Sequence, residues 1–148
     1  MLMKGKKGLI VGVANKRSIA WAIAQRCAEQ GAQCAFSFQS ERLGENVKDL
    51  TRDLPGSLLF QMDVSDDAQV RKGFDDLREA WGQIDFLVHA VAYAPRQALE
   101  GDFVSTTRDD FKTALDISTY SLPVLAQDRK STRLNSSHVS ESRMPSSA

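Results

Sequence analysis

Four short apolar runs, each followed by a segment with helical apolar spacing, constrain this chain more than any other feature. The runs are residues 8–13 (GLIVGV), 33–38 (QCAFSF), 58–62 (LLFQM) and 85–91 (DFLVHAV). They are too short for ordinary helices, and several are rich in β-branched and aromatic residues, which marks them as buried strands. Between them, Ile19, Ile23 and Cys27 recur at four-residue spacing beside Ala20, Ala24 and Ala28. Leu43, Val47, Leu50 and Leu54 share one face over residues 41–54, and Val70, Phe74, Leu77 and Trp81 form a third stripe. Gly31, Pro55-Gly56 and Gly82 close these helices, as helix-ending residues do. Ser18 and Ser65 stand where N-caps are expected, and Asp66 and Asp67 put acid at the positive end of the third helix. A polar loop follows the fourth run. A fourth helix then starts near Arg108, with Phe111, Leu115 and Ile117 expected to face inward. Pro123 should kink or end it, because proline lacks the N–H that the Thr119 carbonyl would accept.

Alternating strands and helices predict an α/β fold: a three-layer, Rossmann-like, doubly wound parallel sheet. Right-handed crossovers give the strand order 3-2-1-4 for four strands. The expected domain is residues 1–127, a dinucleotide-binding unit ending after the fourth strand and its helix. Ligands of such sheets sit at the carboxyl ends of the strands, where the strand order reverses. That edge holds residues 12–18, Gln39, Asp63, Val64 and 90–95.

Composition narrows the function. The 148 residues suit one domain. Nineteen basic and nineteen acidic residues cancel, and a pI near 6.7 argues against a nucleic-acid partner. No apolar run approaches the roughly 18 residues of a membrane span. The basic start at residues 1–7 precedes an apolar stretch too short for a signal peptide, so the expected location is the cytoplasm. Cys27 and Cys34, with no Cys-x-x-Cys pair, read as free thiols there. His89 and His138 are the only histidines, so no zinc-type ligand set is expected.

Residues 128–148 (DRKSTRLNSSHVSESRMPSSA) break the pattern. Seven of these 21 residues are serine, and the segment carries a charge of +2 against −2 for the preceding 127. It has no helical or strand periodicity and too little apolar surface to offset ordering, so it is expected to be disordered. The run DRKSTRLNSSH resembles an in-frame translation of a synthetic sequencing adapter. On that reading the tail is non-native and the gene's own continuation was lost near Gln127.

At the strand ends, Gly12 lets the backbone approach a pyrophosphate, and the helix after it offers N–H donors and partial positive charge. Ser18 Oγ can donate to a phosphate, or simply cap a turn. GVANKRSIAWAIA holds one glycine, so it is not Gly-x-Gly-x-x-Gly. Lys16 and Arg17 are either phosphate partners or solvated charges. Gln39 stands where many NAD sites place an acid for the ribose. Its neutral amide, with Arg42 nearby, leaves both NADH and NADPH open. Asp63 either meets an adenine amino group, with Val64 against the ring, or is a turn aspartate. His89 reads as a structural histidine inside its strand. Ala90, Val91 and Ala92 are small enough for a ribose and nicotinamide to lie over them.

The stretches GVANKRSIAWAIAQRCAEQGAQCAFSFQ, QMDVSDD, DFLVHAVAYAP and DFKTALDIST together resemble the amino-terminal half of the bacterial enoyl-acyl-carrier-protein reductases, divergent short-chain dehydrogenase/reductases. The resemblance runs through residues 3–122, and its Gly-x5-Ser-Ile-Ala signature is far more specific than a bare glycine pattern. It implies reduction of the trans-2 double bond of acyl chains on acyl carrier protein, NADH as the usual cofactor, and a homotetramer. The family's cofactor contacts fall on Gly12, Ser18, Ile19, Gln39, Asp63, Val64 and Val91, and an acyl-substrate contact falls on Ala94. Two departures stand out: Ala22, where the family often has glycine, and Pro123, where its helix usually continues.

The family's catalytic pair is a tyrosine and a lysine with six residues between them. Seven positions after Tyr93 is Glu100, and seven after Tyr120 is Gln127. At the four-residue spacing of the wider superfamily the partners are Gln97 and Val124. Neither tyrosine qualifies. Tyr93 resembles the aromatic lining the family's acyl pocket, and Tyr120 is expected to pack. No catalytic residue is therefore assigned, and this chain is expected to be inactive alone. The alternatives are a nucleotide-binding half-domain without catalysis, or part of a related carbonyl reductase.

Overall fold

β1 (Lys7–Val11) lies inside the sheet because it pairs on both sides, with β2 (Gln33–Phe38) and with β4 (Phe86–His89). The computed structural model describes residues 1–132. Its sheet has four parallel strands in the order β3-β2-β1-β4, with β3 (Leu58–Gln61) at one edge. The crossovers are α1 (Ile19–Glu29), α2 (Glu41–Thr51) and α3 (Asp67–Trp81). Two short 3-10 turns (Arg96–Leu99 and Phe103–Ser105) lead to α4 (Arg108–Leu115). A five-residue π-helical turn (Asp116–Tyr120) joins α4 to α5 (Ser121–Thr132).

Successive strand residues point to opposite faces, so each strand serves both layers. Leu9, Val11 and Ala35 join Val70, Phe74 and Leu77 of α3 and Leu125 of α5 on one face. Ile10, Cys34 and Phe36 join Ala20, Trp21 and Ala24 of α1 and Val47 of α2 on the other. The small residues of α1 let the helix sit close, and Trp21 reaches the Phe36 ring at 6.2 Å between centroids.

The predicted α1 stripe needs correction. Ile19 is 75% exposed, because a first-turn side chain leans back over the preceding loop rather than onto the sheet. Phe111, Leu115 and Tyr120 are also exposed, against expectation, and Ile117 is half-buried. Phe111 and Leu115 lie on the open side of α4, whose buried residue is Asp110, and the π turn that follows inserts a residue and shifts the phase for the positions after it. The buried positions after it are Ser121 and Leu125. The same turn accommodates Pro123. The Ser121 N–H reaches the Asp116 carbonyl, and Pro123 then falls in the first turn of α5, where a missing N–H is tolerated. The helix therefore continues to Thr132. That helix takes in the first residues of the segment 128–148, and the rest of that expected tail lies outside the described residues.

Candidate functional site

The loops leaving all four strands meet at one edge of the sheet around a cavity of about 320 Å³. Gly12, Gln39, Asp63, Val64 and Val91 all line it. Ser18, Ile19 and Ala94 stand outside the lining.

Gly12 has φ +117°, and a Cβ there would collide with the Ala90 carbonyl oxygen. Only glycine lets β1 turn away this close to the β4 strand. The loop that follows is tied by Ser18, in a manner different from the predicted cap. Its Oγ caps no helix N–H. It accepts instead from the N–H groups of Ala14 and Asn15, at 3.0 and 3.1 Å. Both bonds use the oxygen as acceptor, so neither uses the hydroxyl proton. The N–H groups of Ile19 and Ala20 have no hydrogen-bond partner among the described residues, as the open end of a helix leaves them. Lys16, Arg17 and Arg42 are exposed.

Asp63 leaves β3 and is shared by two neighbours. Its Oδ1 accepts from Ser65 N–H at 2.9 Å and Ser65 Oγ at 2.6 Å. Its Oδ2 accepts from Gln39 Nε2 at 3.3 Å. Partial burial pushes the Asp63 carboxyl up, but the bonds from Ser65 and Gln39 outweigh it and hold the carboxyl below its ordinary range. Ser65 is thus not the cap of α3. Asp66 is, accepting from the N–H groups of Ala68 and Gln69.

The floor of the cavity follows β4. The Ala90 N–H bonds Val11 C=O at 2.9 Å, and Val91, Ala92 and Tyr93 continue along the lining. His89 Nε2 lies 2.8 Å from the buried Ser121 Oγ. That hydroxyl donates to Ile117 C=O at 2.6 Å, so its oxygen accepts and His89 Nε2 carries the proton. The structural reading of His89 agrees with this bond. Sequence reasoning missed Phe38, Leu43, Met62 and Ile117 in the lining. Position just before or after a strand end marks Phe38 and Met62. Ile117, expected to face inward but not to reach this cavity, lines it from the π turn. Among the described residues, no group of His, Cys, Asp and Glu is arranged to hold a metal ion. No described helix is long and apolar enough to cross a membrane.

A sequence model of the family described as enoyl-(acyl carrier protein) reductase matches residues 12–139. An NADH enoyl-acyl-carrier-protein reductase of Neisseria meningitidis is 44% identical over 126 residues, covering 84% of this chain and 48% of the relative. The crystal structure of the Aquifex aeolicus enzyme superposes with a TM-score of 0.86 at 39% identity, covering 89% of this chain and 52% of that one. The Anaplasma phagocytophilum reductase, solved in complex with NAD, gives 0.85 at 42% identity, covering 89% and 50%. The chain spans about half the length of the curated relatives it matches. By sequence and by fold, it belongs to the enoyl-acyl-carrier-protein reductase family.

Proposed function

We propose that this chain is the dinucleotide-binding portion of a cytoplasmic, NADH-dependent enoyl-acyl-carrier-protein reductase. The observation that supports it is the convergence of Gly12, Gln39, Asp63, Val64 and Val91 on one cavity at the strand ends. The residues present fit a dinucleotide. Gly12 removes the side chain where the backbone must approach a pyrophosphate. The unpartnered N–H groups of Ile19 and Ala20, with the Ser18 hydroxyl proton, form a donor set for phosphate oxygens. Asp63 and Val64 take the adenine end, and Val91 and Ala92 underlie the nicotinamide end. An ionised Asp63 beside Gln39 opposes a 2′-phosphate, which favours NADH over NADPH.

A bound reduced nicotinamide supplies the hydride for the trans-2 double bond of an acyl chain on acyl carrier protein. This chain's own residues hold and orient it. Ala94, beyond the cavity lining, is the residue set to face the acyl chain. Neither Tyr93 nor Tyr120 has a lysine at the required spacing, so the catalytic pair, the rest of the sheet and the family's homotetramer belong to sequence outside these 148 residues.

Amide hydrogen exchange on the full chain, with and without NADH, tests this. Slowed exchange is expected in residues 12–20, 62–65 and 90–93, with no NADH consumed when a trans-2-enoyl thioester is added. Absent protection, or protection confined to other segments, overturns the cofactor site. Turnover overturns the assignment of the catalytic pair elsewhere.

A further inference from the structure

We propose that Ser118 is a positioning residue that sets the nicotinamide end of the cavity; this rests on the cofactor reading above. Ser118 Oγ accepts from Tyr93 N–H at 2.9 Å and donates to Tyr93 C=O at 3.0 Å. One hydroxyl therefore holds both polar groups of a single loop residue, which fixes the backbone direction there. Tyr93 lines the cavity, yet its side chain is half exposed and packing does little to hold it.

The bond gains meaning from its partner four residues upstream. His89, at the end of β4, bonds Ser121 Oγ, and Ser121 in turn bonds Ile117 C=O. Ser118 lies within the π turn and Ser121 directly follows it. Residues 89–93 are thus pinned at both ends to the same widened turn. Between the pins, Val91 and Ala92 have no backbone hydrogen bond among the described residues, although they form the cavity floor. Ser118 and Ser121 are three residues apart, a spacing that puts both on one side of the helical segment and lets both face the β4 segment and its loop. One helical segment thus holds both ends of the floor.

Removing the Ser118 hydroxyl should free the Tyr93 end alone, since the His89–Ser121 pin and the adenine end at Gln39 and Asp63 remain. The test compares NADH with ADP, which lacks the nicotinamide half, by calorimetric titration of the full chain. Ser118→Ala is expected to weaken NADH binding by about tenfold, to leave ADP binding unchanged, and to speed exchange of the Tyr93 amide. Ser118→Thr, which keeps the hydroxyl, is expected to restore NADH binding. Equal losses for NADH and ADP would mean that Ser118 merely supports folding, and would overturn the proposal. So would unchanged NADH binding in Ser118→Ala. A wild-type chain that binds neither nucleotide overturns the cofactor reading and this proposal with it, a result distinct from a variant that matches a binding wild type.

Discussion

Asp63 receives hydrogen bonds from Ser65 Oγ, Ser65 N–H and Gln39 Nε2, and so links the ends of β2 and β3 beside the cavity. Its carboxyl is held below the ordinary range, so the folded state prefers it ionised. The stabilisation is complete above the unfolded aspartate value, near pH 4. It is lost as the pH falls through the lower folded value. Thermal melts taken down the acid range should therefore show the wild type losing its advantage over Asp63→Asn below about pH 4. Curves that stay parallel throughout would show that the carboxylate contributes nothing here. The position of Asp63 was readable from the sequence because a residue just past a strand end has few places to go. The bonds of its neighbours were not. Ser18 and Ser65 each stand at a cap position, but a short hydroxyl side chain can bond its own loop as readily as a helix N–H. In both places the loop won.

Among the elements, β2 matches its apolar run residue for residue, because Gly31 and the start of α2 bound it on both sides. The stretch after β4 is where local reading failed. Its buried positions are Asp110, Ser121 and Leu125, and the π turn between α4 and α5 shifts the phase so that no single local periodicity links them. α5 then returns to the sheet through Leu125, fully buried with Val70, Phe74 and Leu77. Leu125→Ala should cost about 2–5 kcal/mol in urea unfolding, the range for deleting a fully buried leucine side chain. A loss of only a few tenths would mean that α5 is not docked in solution.

For the whole molecule, the alternation of strand and helix was enough to order the sheet, since right-handed crossovers and short connections leave few arrangements. Among the described residues β4 pairs only with β1. Leu99, Phe103, Val104, Phe111 and Leu122 all stand exposed along the segment after it, with Val104 at 90%. So much uncovered apolar surface on a small chain favours association. Light scattering behind gel filtration should report a mass above 16.4 kDa that rises with concentration, together with dye binding typical of exposed apolar surface. A concentration-independent monomer with a sharp two-state melt would contradict this.

The central place of β1 also governs the order in which the chain can assemble as it is made. Lys7 N–H bonds Asp85, 78 residues away, and the β1–β4 register begins at Gly8 opposite Phe86. During synthesis, β1 emerges first and can pair early with β2. Its other side stays open until almost the whole of α3 and β4 has left the ribosome. The first strand of this chain is thus enclosed only late, and one of its apolar edges stays unpaired until residues 86–89 are available.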